Sequence, residues 1–113
     1  MQILRRIVCL LPWLWSAALA AAPQPIMVYG DSLSAEYGLE RGTGWAALLA
    51  ARLKEKNYDY IVVNSSISGE TASGGASRIA AELSRVKPAV VVVELGGNDG
   101  LRGLSLDATR ANL

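Results

Sequence analysis

The run Ala89-Val90-Val91-Val92-Val93-Glu94-Leu95 constrains the fold more than any other stretch. It is β-branched and apolar on both faces of a would-be strand, which is the pattern of a strand inside a parallel sheet covered from two sides. Pro88 prevents any preceding helix from running into it. The run empties into Gly96-Gly97-Asn98-Asp99-Gly100, a polar, glycine-bearing exit. Two earlier runs share this design. Ile26-Met27-Val28-Tyr29 leads into Gly30-Asp31-Ser32-Leu33-Ser34, and Tyr60-Ile61-Val62-Val63 leads into Asn64-Ser65-Ser66 and then Ile67-Ser68-Gly69-Glu70-Thr71.

Helical spacing fills the intervals. Trp45, Leu48, Leu49, Arg52 and Leu53 predict an amphipathic helix over residues 44–56, with Trp45 as its core anchor and Lys54-Glu55-Lys56 as a solvated end. Ala76, Ile79, Ala80, Leu83 and Val86 predict a second helix after Gly74-Gly75. A third begins near Leu104 and continues to Leu113, with Asp107 placed to cap or favour its first turn. Strand alternating with helix implies right-handed crossovers and a parallel sheet. With strand order 2-1-3, all three polar exits emerge at one sheet edge, where open α/β folds bind ligands.

The first 22 residues stand apart. Arg5-Arg6 precede an apolar stretch from Ile7 to Trp15, and Ala18-Leu19-Ala20 or Ala20-Ala21-Ala22 offers a small-residue cleavage site. This reads as a secretory leader cleaved after Ala20 or Ala22, because the stretch is short for a membrane span. The expectation is export to the periplasm with no stable membrane anchor, and one domain over residues 23–113. Cleavage removes two of the 11 basic residues, so 9 remain against 10 acidic ones. It also removes Cys9, the only cysteine, leaving a mature chain compatible with an oxidising compartment. Near-balanced charge without a basic stripe gives no footprint for nucleic acid.

Acyl transfer needs a nucleophile, a base, and donors aimed at a developing oxyanion. Ser32 supplies a hydroxyl directly after a buried strand. Gly69, lacking a Cβ, lets its backbone N–H approach a substrate oxygen closely. Asn98 supplies a side-chain amide. Each also has a plainer reading: Gly-Asp-Ser as a turn and helix cap, Gly69 as a turn glycine, Asn98-Asp99-Gly100 as a tight turn. Their common position after predicted strands favours the chemical reading. No Gly-x-Ser-x-Gly elbow surrounds any serine, and no phosphate-cradling loop is present.

These segments carry a family resemblance. Gly-Asp-Ser-Leu-Ser at 30–34, Ile-Ser-Gly-Glu-Thr at 67–71 and Val-Glu-Leu-Gly-Gly-Asn-Asp-Gly-Leu-Arg-Gly at 93–103 resemble the first three motif blocks of the GDSL, or SGNH, hydrolases. With the leader, the chain is similar to the secreted bacterial thioesterase I, arylesterase and lysophospholipase subgroup. The resemblance implies a flavodoxin-like three-layer α/β/α sandwich and hydrolysis of small acyl esters or thioesters without cofactor or metal. It makes Ser32 the nucleophile and a backbone oxyanion donor, with Gly69 and Asn98 as the other donors. Asp31, Glu94 and Asp99, inside the same motifs, read as loop supports.

One departure is large. The family's base is a histidine in a C-terminal Asp-x-x-His block, and this sequence contains no histidine. Asp107 has none to orient. The resemblance therefore implies the N-terminal part of a hydrolase, incomplete at its C-terminal side, with little turnover by itself. A carbohydrate O-deacetylase on the same scaffold and a non-catalytic flavodoxin-like binding module are the alternatives.

Overall fold

The computed structural model describes residues 21–113, so the leader expected over residues 1–22 falls almost wholly outside the described residues. Seven elements follow in order: β1 (Gln24–Gly30), α1 (Trp45–Glu55), β2 (Tyr60–Asn64), α2 (Ala72–Val86), β3 (Val90–Glu94), α3 (Gly97–Leu101) and α4 (Leu106–Asn112). The three strands form one parallel sheet in the order β2-β1-β3. This is the α/β arrangement anticipated from the alternating pattern. The chain steps from β1 to one side and then crosses back over it. Right-handed crossovers in this order put α1 and α2 on opposite faces of the sheet.

β1 is the centre of the core. Met27 and Val28 are fully buried and Tyr29 is 1 % exposed. Its registers run Gln24↔Tyr60 to Val28↔Asn64 on one side and Ile26↔Val90 to Gly30↔Glu94 on the other. Tyr29 faces α2 and donates its buried hydroxyl to the Gly75 carbonyl at 2.7 Å. The Arg78 guanidinium lies 4.3 Å from the centre of the Tyr29 ring and pairs with Glu70 at 2.6 Å. Burial raises the Tyr29 phenol above its ordinary pKa. Strand and helix are thereby tied by packing, a hydrogen bond and a cation over a ring.

Several sequence expectations need correction. The β3 run, apolar on both faces, is less covered than β1: Val90, Val91 and Val93 are 43 %, 36 % and 50 % exposed. Only one edge of β3 is paired among the described residues, to β1. Trp45 is not a buried anchor: it is 38 % exposed, and its indole N–H donates to Ser34 Oγ at 3.1 Å. The inward stripe of α1 is set one residue later, on Ala46, Leu49, Ala50 and Leu53, while Leu48 faces outward. A side chain with a polar tip at the first helical position can reach back to the preceding turn, so Trp45 does that instead.

α2 starts before the glycines rather than after them. Thr71 caps it by accepting the Gly74 N–H at 3.1 Å, and the Tyr29 hydroxyl holds the Gly75 carbonyl. Its inner stripe runs through Ala72, Gly75, Ile79, Glu82 and Val86, leaving Ala76, Ala80 and Leu83 outside. The exit after β3 is not a tight turn but the short helix α3. In α4 the cap is Ser105, which accepts the Ala108 N–H, and Asp107 lies in the first turn beside Arg110. No helix among the described residues is long and apolar enough to cross a membrane.

Candidate active site

Ser32 sits in the turn that leaves β1. The Asp31 carbonyl accepts the N–H groups of Ser34 and Ala35 at 3.2 and 2.9 Å, and the Ser32 carbonyl accepts that of Tyr37. The buried Asp31 carboxylate closes the turn by accepting the Leu33 N–H at 3.0 Å. Glu94, at the end of β3, reaches under the same turn. Its Oε2 accepts the Ser34 hydroxyl at 2.9 Å and the Asp31 N–H at 3.3 Å. A side chain on Gly30 would occupy the space of the Glu94 carboxylate and the Ser34 hydroxyl, each 2.8 Å from an ideal Cβ position. Glycine at position 30 is what lets the neighbouring strand support the turn.

The loop after β2 runs alongside. Ser65 N–H donates to the Val28 carbonyl, Ile67 N–H to that of Gly30, and Gly30 N–H to Ser66 Oγ at 3.0 Å. Asn64 adds a 2.6 Å hydrogen bond to the Ser34 carbonyl. Gly69 then takes φ +82°, a left-handed conformation that glycine adopts without strain.

Asn98, in the first turn of α3, joins the other two loops. Its side-chain amide donates to the Glu70 carbonyl at 2.9 Å and lies 3.3 Å from Asp31 Oδ2. These partners are the immediate neighbours of Gly69 and Ser32. Asp99 points the opposite way, accepting the Ala72 N–H at 2.9 Å and the Thr109 hydroxyl at 3.2 Å, so it locks α3 to α2 and α4. Asp31, Glu94 and Asp99 thus hold loops together, as read from their motifs.

Among the described residues, the backbone N–H groups of Ser32 and Gly69 donate to no protein acceptor, and the Ser32 hydroxyl has no hydrogen-bond partner. Both residues are half-buried. The Asn98 amide is the most committed of the three donors. Its 2.9 Å bond uses one proton fully, while the 3.3 Å contact is long enough for a stronger acceptor to displace. A cavity of about 460 Å³ lies between the loop after Ser34 and the end of β2, lined by Ala35, Glu36, Leu39, Arg41, Asn64 and Ser66, with none of Ser32, Gly69 and Asn98 on its wall. The Glu36 carboxylate on its wall is held below its ordinary pKa by the N–H groups of Gly42 and Gly44.

Several supports escaped the sequence reading: Trp45 and Asn64 on the Ser34 side, and Arg78 and Arg102 on the Gly69 side. Arg102 donates to the Gly69 carbonyl at 2.9 Å. Its signal was present, since residues 98 and 102 share a face if the segment is helical. Reading Asn98-Asp99-Gly100 as a turn hid it.

Comparison with known proteins agrees with this architecture. The model of the GDSL-like Lipase/Acylhydrolase family matches residues 28–113. Esterase TesA of Pseudomonas aeruginosa is 55 % identical over 93 residues, covering 82 % of this chain and 46 % of that protein. Thioesterase 1/protease 1/lysophospholipase L1 of Escherichia coli K12 is 43 % identical over 106 residues, covering 91 % of this chain and 50 % of the relative. The crystal structure of AlinE4, an SGNH-hydrolase family esterase, superposes with a TM-score of 0.76 at 38 % identity, over 82 % of this chain and 50 % of that one. The chain spans about half the length of these relatives.

Proposed function

Because this chain belongs to the GDSL-like lipase/acylhydrolase family, we propose that its protein is a serine hydrolase of carboxylic esters and thioesters. Ser32 Oγ attacks the acyl carbonyl carbon while its proton passes to a base. The carbonyl oxygen gains negative charge and is held by the N–H groups of Ser32 and Gly69 and by the Asn98 amide. Collapse of the tetrahedral intermediate expels the alcohol or thiol, which takes up the proton. Water then releases the acid from the acyl-serine.

The observation that carries this reading is the pairing of the Asn98 amide with Glu70 and Asp31, next to two backbone N–H groups without protein acceptors. Preorganised donors of this kind act most strongly on charge that appears only in the transition state. These 113 residues include no histidine, so the reading assigns them the nucleophile and the oxyanion donors but not the base. The names of the relatives, an esterase and a thioesterase/lysophospholipase, favour acyl esters and thioesters over a carbohydrate acetate. Export to the periplasm belongs to the same proposal, supported by the leader pattern. N-terminal sequencing of the mature protein should begin at Ala21 or Pro23.

The test is Ser32→Ala. It should reduce hydrolysis of a short aryl ester by at least about a thousandfold. A fluorophosphonate should label the wild-type protein at Ser32 and leave the variant unlabelled. Turnover unchanged in the alanine variant would remove Ser32 from its role.

A further inference from the structure

α3 and its C-cap residue Arg102, whose N–H donates to the Asn98 carbonyl, grip the β2–α2 loop at two consecutive carbonyls. Asn98 holds that of Glu70 at 2.9 Å, and Arg102, one helical turn later, holds that of Gly69 at 2.9 Å. Residues four apart lie on one face of a helix, so a single short element reads two adjacent peptide units. Gly69 is where the backbone most needs this. At φ +82° and without a side chain, it is where the Ser68–Gly69 peptide, which carries the Gly69 N–H, can turn against the Gly69–Glu70 peptide, whose Glu70 N–H donates to the Ile67 carbonyl at 3.1 Å. An ideal Cβ on Gly69 would meet only one group within 4 Å, the Arg102 guanidinium at 3.7 Å.

We propose that Arg102 is a positioning residue for the Gly69 oxyanion donor. This rests on the hydrolase reading above and adds to it a residue that does not touch the reacting atoms. A charge-assisted hydrogen bond from Arg102 pins the Gly69–Glu70 peptide unit, which leaves the Gly69 N–H only the two Gly69 dihedrals to turn about and so keeps it on the open side of the loop. Because Asn98 rides on the same helix, the clamp also fixes the spacing between two of the donors. The Arg102 bond is exposed to solvent, so it contributes little to global stability. Its effect is on orientation, where small displacements from the productive geometry are costly in rate.

The experiment compares Arg102→Gln and Arg102→Lys in the intact protein, with two readouts. In 15N relaxation, the Gly69 order parameter should fall in Arg102→Gln from about 0.85 towards about 0.6, and Arg102→Lys should restore most of it. In aryl ester hydrolysis, kcat should drop about tenfold in Arg102→Gln with KM nearly unchanged and melting temperature unmoved, again with recovery in Arg102→Lys. An unchanged Gly69 amide in Arg102→Gln overturns the proposal. A loss confined to KM also overturns it, because Arg102 would then be binding substrate. If Ser32→Ala retains turnover the hydrolase reading fails instead, and the relaxation measurement, which needs no turnover, still decides whether the clamp exists.

Discussion

β1 and β3 are nearly interchangeable as sequences, yet they experience different surroundings. Ile26-Met27-Val28-Tyr29 is at most 9 % exposed, whereas Val90, Val91 and Val93 are 36–50 % exposed. β1 has a strand on each side and helices over both faces, while β3 is paired on one edge only among the described residues. An apolar run records that a segment calls for cover. Whether it is covered depends on the elements that surround it. The site follows the same division: the turn bearing Ser32 grows from the buried strand, and β3 contributes the Glu94 carboxylate beneath it.

Matched truncations would test this contrast. Met27→Ala should cost about 2–5 kcal/mol, since nothing can relax into a site flanked on every side. Val91→Ala should cost at most about 1 kcal/mol, because its side chain is already partly in water. Urea unfolding measures both, and equal losses would refute the claim that β1, and not β3, is the core strand. An intermediate effect is expected for Tyr29→Phe. It removes a buried hydrogen bond to the Gly75 carbonyl, which stays within the α2 ladder, and should cost about 1 kcal/mol.

The smallest effect concerns acid. Glu82 is held down to a pKa of about 2, chiefly by Arg85 and then by the Ser65 hydroxyl, which together tie α2 to the end of β2. A depressed carboxylate adds stability above its ordinary value of 4.5 and loses it as pH falls towards 2. Between those limits Glu82→Gln should lose less stability than wild type, as read from thermal melts across that window. Arg85 is largely exposed and Glu82 only partly covered, so solvent screens the pair and the difference will be small.

Much of the fold was legible because periodicity is a local property. Three apolar runs, two helical stripes and Pro88 were enough to anticipate a parallel sheet, whereas the strand order β2-β1-β3 was only supposed until the structure settled it. The helix faces were harder. In α1 the stripe moved by one residue, and in α2 Glu82 is partly covered beside Arg85 and Ser65 while Leu83 is exposed. The site was legible as three loops but not as a network. Trp45 on Ser34, Glu94 beneath Asp31 and Arg102 on Gly69 join residues 11, 63 and 33 positions apart. No spacing rule reaches that far.

The amino-acid order alone therefore determined the class of fold, the order of elements and the identity of the polar exits, because backbone sterics and hydrophobic periodicity act over a few residues at a time. Tertiary structure alone decided which apolar strand is core, which carbonyls Asn98 and Arg102 grip, and which backbone N–H groups stay without an acceptor. Those outcomes depend on the partners a folded chain brings within hydrogen-bonding distance, and such partners exist only once the sheet has formed.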